Sequence, residues 1–496
     1  MKSLKTIALS VALGATFLTG CDKIKDFGDT NVNPNATTTP NTAALLTNVL
    51  AGVAGRASSA NPGYYCQYFA ETQYPTVSLY SIPQFDFDGV YAGAMYDLQN
   101  IINNNTDPKT AANAAINGST KNQIAIATIL KSYYYWTITD AWGDIPYSQA
   151  LTITNKFPKY DSQEEVYKGV IAELTAAVDQ FDNGLKVKGD IAYNGNTAQW
   201  QKLANSVRML MALRLSKKFP NAGQYAALQF NAALTHPAGF ISDNADNFKI
   251  DYPGGNFQSP WFLQYNSRDD LGESLGFVNL LNGLGDRRQS DRRFGRSDNG
   301  VPYGRDRQSF MNAWFATNST TYSKVLGDAY RAENASVAVV HAAAVFFARA
   351  EARERGWTTA TETATADQLY YSGITASFTQ WGLTAAQATT YAAGSGVIYG
   401  GTNLDKIALQ RYIAYYPDGL QGWCEWRRTG VPTLTPAQDA SNVTKAIPRR
   451  YVYGVNDYST NRINVQAAAD AIPLPVPTPA GAIAGDTQDG RVWWDR

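Results

Sequence analysis

The stretch TKNQIAIATILKSYYYWTITDAWGDIPYSQA, residues 120–150, decides the fold. Apolar side chains recur in it every three or four positions, from Ile126 to Trp136, and this spacing predicts a helix over 120–141. Further apolar side chains on its other sides predict that the helix is buried nearly all round. Gly143 stands where a left-handed cap ends a helix, so we expect the helix to stop just before it.

Two acidic residues, Asp140 and Asp144, fall at the carboxyl end of this predicted helix. The helix dipole disfavours negative charge there, so the acids need a cationic partner. Arg427 or Arg428, in the downstream segment EWRRTG, can supply bidentate hydrogen bonds, and we predict a structural ion pair. The alternatives for the two carboxylates are the acid pair of a glycoside hydrolase or oxygen ligands for calcium.

Length and charge limit the class of protein. The 496 residues carry 42 basic and 42 acidic side chains, so no excess positive charge favours nucleic acid or an anionic membrane surface. A chain of this length can bury a large core, in one domain or several. Aromatic residues make up 12% of the chain, and they either fill that core or serve as exposed stacking platforms.

The amino-terminal residues have the pattern of a bacterial lipoprotein signal. Lys2 and Lys5 precede an apolar run that is too short to span a bilayer, and the run ends in LTGC, which resembles a lipobox. We predict a signal peptide over 1–20 and acylation of Cys21. Residues 21–41, rich in Asn, Thr and Pro, are then a lipid-anchored flexible tether.

Helical periodicity dominates the rest of the chain, which we expect to form a single domain over 42–496. It predicts helices over 42–58, 88–104, 120–141, 162–182, 198–218, 222–235, 337–356, 366–381 and 403–416. Neighbouring helices pair, namely 120–141 with 162–182, 198–218 with 222–235, and 337–356 with 366–381. Small residues such as Ala344 and Ala348 at close-packing positions indicate an all-α dominated fold, a superhelix of tetratricopeptide-like helix pairs.

Two stretches interrupt the helical pattern with irregular sequence. Residues 72–87 form an aromatic loop, and residues 236–335 are rich in Gly, Pro, Asn and Asp. Long loops inside a compact domain are usually functional, so we expect both stretches to carry the site. The Arg- and Asp-rich run over 286–307 is interpreted as a salt-bridged, solvated surface.

The inventory of catalytic residues is thin. His236 precedes a proline, and His341 lies in the apolar segment AVVHAAAVFF, where a core residue is expected. The sequence holds no HExxH, GxSxG, phosphate loop or Cys/His cluster, so zinc, serine-hydrolase and nucleotide chemistry lose support. We predict no enzyme activity and no cofactor, with calcium as the alternative. Cys66 and Cys424 are expected as one disulfide or as two buried thiols.

Six segments along nearly the whole chain match the motifs of one protein family in order. They are FGDTNVNPNATT after the lipobox, the internal motif TDAWGDIPYSQA, and then AAAVFFARAEARERGW, IALQRYIAYYPDGLQGWCEWRRTGVPTL, IPRRYVYGVNDYSTN and RVWWD. In these segments the chain resembles the SusD/RagB family of surface nutrient-binding lipoproteins. The resemblance implies a non-catalytic, cell-surface lipoprotein of the outer membrane. It also implies a partner, a SusC-like TonB-dependent barrel that the protein covers.

The resemblance implies a ligand face formed by the irregular insertions, but its motifs carry over no ligand residues. Sugar stacking needs an exposed flat ring with polar neighbours, so the candidates come from aromatic loop positions. The predicted ligand-binding residues are Trp261, Tyr265, Asn266, Arg268, Tyr74 and Tyr80. Oligosaccharides are the expected ligand. Oligopeptides, a secreted carbohydrate hydrolase and a helical scaffold without a small ligand are the alternatives.

Overall fold

A computed structural model of the chain describes residues 40–81, 85–152, 154–358 and 362–496. Contacts divide the chain after residue 41, and the second unit, 42–496, is compact. The predicted signal peptide, the predicted acylation site Cys21 and the predicted tether up to residue 39 lie outside the described residues. The second unit carries the fold and the site described below.

Helices are the main regular structure of the second unit. They are α1 (Thr42–Ala57), α2 (Ala60–Tyr65), α3 (Asp88–Val90), α4 (Tyr96–Thr106), α5 (Ala111–Ala114), α6 (Thr120–Trp142), α7 (Gln163–Gln180), α8 (Thr197–Arg214), α9 (Tyr225–Leu234), α10 (Pro260–Gln264), α11 (Leu275–Gly283), α12 (Arg287–Ser290), α13 (Asn312–Asn318), α14 (Ala342–Glu354), α15 (Ala366–Gln380), α16 (Ala385–Ala392), α17 (Asn403–Tyr415), α18 (Gly419–Thr429) and α19 (Val455–Asp470). Two π-helical turns, Tyr91–Met95 and Arg307–Met311, lead into α4 and α13.

The predicted helix pairs are present. Helix α6 packs on α7, α8 on α9, and α14 on α15, while α7 also contacts α8 and α14 also contacts α17. Each helix therefore touches both its own partner and the next pair, which is the packing of a helical superhelix. The predicted all-α fold with irregular insertions is confirmed.

Helix α6 has the burial and the ends that its sequence predicts. The Ser119 side chain accepts a hydrogen bond from the backbone N–H of Asn122 and caps the start. Nearly every side chain from there to Trp142 is buried. Gly143, with φ of +95°, ends the helix, a conformation that glycine adopts without strain. This helix is the central element around which the neighbouring pairs pack.

The strands are short, and they form three two-stranded antiparallel sheets within the described residues. The pairs are β1 (Phe69–Glu71) with β5 (Leu271–Glu273), β2 (Ile145–Pro146) with β3 (Tyr160–Asp161), and β4 (Phe248–Ile250) with β6 (Val337–Val340). The prediction that a helix begins at 337 is wrong. Three valines in a row of four favour the extended β6, and α14 begins only after His341, whose ring accepts from the N–H of Ala344.

The predicted ion pair takes a different form. The carboxylate of Asp140 accepts from the indole N–H of Trp494 at 2.8 Å, and Arg214 lies 3.7 Å from it. Arg427 instead donates to the backbone oxygen of Asp140, at 2.8 Å. The last carbonyls of a helix have no partner within the helix, so this arginine satisfies the main chain rather than the acid. Asp144 accepts from the backbone N–H of Gln163 at 2.8 Å, at the start of α7.

Arg428 belongs to a buried charge cluster that the sequence did not predict. It donates to Glu351 on α14 at 2.6 Å and to Glu425 on its own helix at 2.9 Å. Arg411 on α17 donates to both glutamates at 2.7 Å. This cluster, rather than Asp140 and Asp144, ties α18 to the helix pairs through charge. Cys66 and Cys424 are free and buried, the second of the two expected states.

Candidate functional site

The pairing of β1 with β5 brings the two irregular stretches together. In the register, Phe69 lies opposite Glu273 and Glu71 lies opposite Leu271. The aromatic loop leaves the end of β1, and the insertion enters β5 through the turn after α10. Stretches about 200 residues apart in sequence thereby form one surface.

Glu71 holds the aromatic loop in shape. Its carboxylate accepts from the backbone N–H groups of Thr76 and Ser78, both at 2.8 Å, and from the Ser78 hydroxyl at 2.6 Å. Hydrogen bonds to a charged acceptor are stronger than neutral ones, so a single side chain fixes the turn. The loop residues between these contacts and β1, including Tyr74, are thus held on a rigid base.

Tyr74 is the large aromatic side chain that this loop leaves in solvent, with 53% of its surface exposed. The guanidinium of Arg307, from the insertion, lies 4.5 Å from the centre of its ring. A cation over an aromatic face is attracted to the ring and limits how the ring can turn. The exposed ring is therefore oriented, as a stacking platform for a sugar requires.

A groove of about 710 Å³ runs beside Tyr74, and we name it the Tyr74 groove. Its walls are the end of α1, the start of α2, the aromatic loop, α10 and the turn before β5. Its lining includes the side chains of Ser59, Asn61, Glu71, Tyr74, Leu263, Gln264, Arg268 and Asp270. This surface suits a polar ligand with apolar faces. It combines the Tyr74 ring, the aliphatic side chain of Leu263, which is 48% exposed, and several amides and hydroxyls.

Both carboxylates in the groove lining are engaged. Glu71 is used by the loop, and Asp270 forms an ion pair with Arg268. Neither stands as a free acid or base opposite the other. Within the described residues, no group of three or more His, Cys, Asp or Glu side chains is arranged to hold a metal ion.

Two of the predicted ligand residues, Tyr74 and Arg268, meet in this groove. Asn266 is exposed in the turn after α10 but is not part of the lining. Tyr265 is half-buried, and its hydroxyl donates to the Leu271 carbonyl at 2.9 Å while accepting from the Val325 N–H at 2.8 Å. The Tyr265 hydroxyl therefore links β5 to the segment around Val325 instead of facing the groove.

The expectation of exposed rings at Trp261 and Tyr80 is wrong. Trp261 is 1% exposed and packs edge-on against Phe69, with ring centroids 5.7 Å apart. Tyr80 is fully buried, and its hydroxyl accepts from the Ala437 N–H at 2.9 Å. Burial raises the pKa of Tyr80 to about 12. Both rings are part of the main hydrophobic core, where a large aromatic side chain buries the most apolar surface.

The groove also contains residues that the sequence analysis missed, chiefly Ser59, Asn61, Leu263 and Gln264. The first two belong to a junction between α1 and α2 that the prediction left without a helix. Ser-Ser-Ala-Asn-Pro over 58–62 carries a turn signal, which could have indicated a surface corner. The pairing of β1 with β5 decides which residues of the insertion face that corner. No local sequence pattern reveals this long-range pairing.

The comparisons with known proteins agree with this architecture. The class defined by the fold is a helical superhelix whose irregular insertions form a groove. The sequence matches the family SusD-like_2, described as starch-binding associating with outer membrane, over residues 34–454, so the chain belongs to the SusD-like family. No curated protein matches it. In the part of the chain that the structure describes, no helix is long and apolar enough to cross a membrane.

Solved structures of SusD homologs share the fold. A chitin-binding SusD homolog from Flavobacterium johnsoniae is 23% identical with a TM-score of 0.74, covering 92% of this chain and 98% of its own. A SusD homolog from Bacteroides uniformis is 24% identical with a TM-score of 0.73, covering 92% and 99%. A protein from Bacteroides vulgatus, described as an outer membrane protein probably involved in nutrient binding, is 21% identical with a TM-score of 0.73, covering 92% and 100%.

Proposed function

We propose that the chain is a non-catalytic surface lipoprotein that binds neutral oligosaccharides in the Tyr74 groove and delivers them to a SusC-like TonB-dependent transporter of the outer membrane. The observation that carries the proposal is the exposed, oriented ring of Tyr74 in a groove with amide and hydroxyl side chains. The apolar face of a sugar ring packs on such a platform, and the sugar hydroxyls hydrogen-bond to its neighbours.

Two comparisons favour a carbohydrate as the ligand. The family carries a starch-binding description, and a relative with the same fold is a chitin-binding protein. Both polymers consist of neutral or N-acetylated sugar rings. The charges in the groove are consistent with a neutral ligand, because Arg268 is paired with Asp270 and Glu71 is used by its own loop.

Binding without turnover is supported by the same contacts. Hydrolysis of a glycosidic bond commonly uses two carboxyl groups, one on each side of the bond. Glu71 is occupied by three short hydrogen bonds, and Asp270 by a guanidinium. Neither is available for proton transfer or attack. A thin-layer or mass analysis of oligosaccharides after long incubation should therefore show no shorter products.

The binding proposal is tested by calorimetric titration with chito-oligosaccharides and malto-oligosaccharides of four to seven sugar units. Tyr74→Ala should weaken the binding of whichever series binds by about fivefold, because one stacked ring contributes on the order of 1 kcal/mol. The matched control is Tyr96→Ala, since Tyr96 is 40% exposed and lies outside the groove lining. Equal affinity of wild type and Tyr74→Ala for a bound oligosaccharide would show that the ligand lies elsewhere.

Salt dependence separates oligosaccharide from oligopeptide, the alternative ligand. A peptide would engage Arg268 or Asp270 through its charged groups, and exposed charge pairs weaken as salt screens them. A neutral oligosaccharide should bind with the same affinity at 50 and 500 mM sodium chloride. A peptide library screened at both salt concentrations provides the second arm. Peptide binding that falls with salt, without oligosaccharide binding, would replace the carbohydrate proposal.

The lipid anchor and the partner rest on the sequence and on family membership. Mass spectrometry of the native amino terminus should find Cys21 carrying two or more acyl chains, since a single chain anchors only marginally. Extraction in mild detergent should recover the transporter with this protein, through an interface larger than about 1,600 Å². Recovery of this protein alone from cells that make both would argue against the partnership.

A further inference from the structure

A second cavity lies on the opposite side of α10 from the Tyr74 groove. It has a volume of about 400 Å³, within the range of small-molecule sites, and residues of α10, β6, α15 and the turn between α17 and α18 line it. Leu263 and Gln264 of α10 face the groove, whereas Trp261 of the same helix lines the cavity. The two openings are thus separated by a single short helix.

Two tryptophans in this cavity differ from the other buried tryptophans of the described chain. Trp261 and Trp381 are 1% and 7% exposed, both line the cavity, and neither indole N–H has an acceptor. Each of the other buried indoles donates to a protein oxygen; these are Trp136, Trp142, Trp200, Trp357, Trp423 and Trp494. A buried indole normally finds a partner, and leaving one without costs free energy. Both exceptions lie in one cavity, so a shared acceptor outside the protein is the economical explanation.

The remaining lining favours an uncharged ligand. Rings and aliphatic side chains dominate it, including Tyr415 and Val339. Lys249 is paired with Asp251 at 2.8 Å, and Asp418 accepts from two backbone N–H groups at the start of α18. Burial lowers the pKa of His341 to about 4, so this ring is neutral at physiological pH. No lining residue therefore offers a free counter-charge to an ion.

We propose that this cavity, which we name the Trp261–Trp381 cavity, is a second binding site and takes one or two neutral sugar rings. The inference rests on the proposed carbohydrate function of the protein. A sugar ring supplies both an apolar face for the aromatic walls and several oxygen acceptors for the two indole N–H groups. A molecule of one or two rings is the size that the cavity volume admits.

The test uses maltose and N,N′-diacetylchitobiose as probes, titrated by calorimetry and by tryptophan fluorescence into the Tyr74→Ala protein. That background weakens binding in the groove and leaves the cavity unchanged. One of the disaccharides should still bind, and Trp381→Phe should weaken it about three- to tenfold, the effect of losing one neutral hydrogen bond. Trp357→Phe is the matched control, because its indole already donates to the Pro220 carbonyl and lies outside the lining.

Filling the cavity provides an independent variant. Ala338→Phe should abolish disaccharide binding, and Ala329→Phe, on the exposed rim, tests the same point if the first variant does not fold. Far-UV circular dichroism checks folding. If Tyr74→Ala removes all disaccharide binding, or if Trp381→Phe and the filled variants bind as their parent does, the cavity proposal is overturned while the groove remains. If wild type binds no oligosaccharide of either series, the proposed function fails first, and the cavity proposal fails with it.

Discussion

Replacing Glu273 with a glutamine should stabilise the protein at alkaline pH. Glu273 is fully buried in β5, opposite Phe69 of β1, at the pairing that assembles the groove. Burial raises the pKa of Glu273 from 4.5 to about 7, although hydrogen bonds from Ser323 and Gln289 lower it in part. A Cβ on Gly295 would lie 1.6 Å from the carboxylate, so the site leaves no room for a further group beside it.

The sign and size of the effect follow from the two pKa values. In the unfolded chain the carboxyl group titrates near 4.5, and in the folded protein near 7. The folded state therefore binds more protons between these values, and the free energy of unfolding falls as pH rises from 4.5 through 7. At about 1.36 kcal/mol for each pH unit, the loss at pH 8 is about 3 kcal/mol. The amide side chain of the Glu273→Gln variant does not titrate, so the variant should keep this stability.

The assay is thermal or urea unfolding of wild type and Glu273→Gln at pH 5 and pH 8. The variant should match wild type within about 1 kcal/mol at pH 5, and at pH 8 it should melt about 3 °C higher, given the size of the domain. Glu333→Gln, an exposed substitution in the same insertion, should change neither value. A Glu273→Gln protein that is less stable than wild type at pH 8 would refute the argument, because it would mean that the native carboxylate is charged and well paired.

Three further predictions concern the core. Glu351→Gln should lower the free energy of unfolding by about 3–5 kcal/mol, since it leaves the buried Arg411 and Arg428 to share the single carboxylate of Glu425, while the exposed Glu354→Gln on the same helix should cost little; urea unfolding of both distinguishes them. Trp261→Ala should cost about 3–5 kcal/mol by thermal melting, and an unchanged melting temperature would contradict its burial. Cys66 and Cys424 should react with a thiol reagent only in denaturant, since both are buried and free; one equivalent reacting in the native protein would contradict this.

The helices could be predicted because their signals are local. The observed α6, α7 and α15 lie within a few residues of their predicted ranges, and a capping box at Ser162 and Glu165 marks the start of α7. Such signals act between residues three or four apart, so one segment contains them. The start of α14, which the sequence predicts at 337 and which lies at Ala342, shows where local signals are not enough. Apolar residues over 337–345 suit a buried helix and a buried strand equally, and pairing with β4 decides between them.

The polar partners could not be predicted, since they depend on distances between segments far apart in sequence. The prediction identified Asp140 and Arg427 as neighbours, and they are, but the contact runs through a backbone carbonyl. The carboxylate of Asp140 instead accepts a hydrogen bond from the indole N–H of Trp494, 354 residues further along the chain. Charge alone favours an acid–base pair, whereas the folded protein also has to satisfy the free carbonyls at a helix end.

Trp261 is buried and Tyr74 is exposed, and the local sequence around each residue contains the physical reason. Ser259-Pro260 is the pattern of a helix start, with proline in the first turn, and α10 does begin there. In a helix, Leu263 lies about 200° around the axis from Trp261, so the two side chains cannot share a face. Trp261 packs into the core, and Leu263 is left on the groove. Tyr74 precedes Pro75 in a segment without a helix, and its loop is held by Glu71 rather than by packing of the ring. Exposed aromatic platforms should therefore be sought where a polar side chain fixes the backbone, because there the ring itself is not needed for folding.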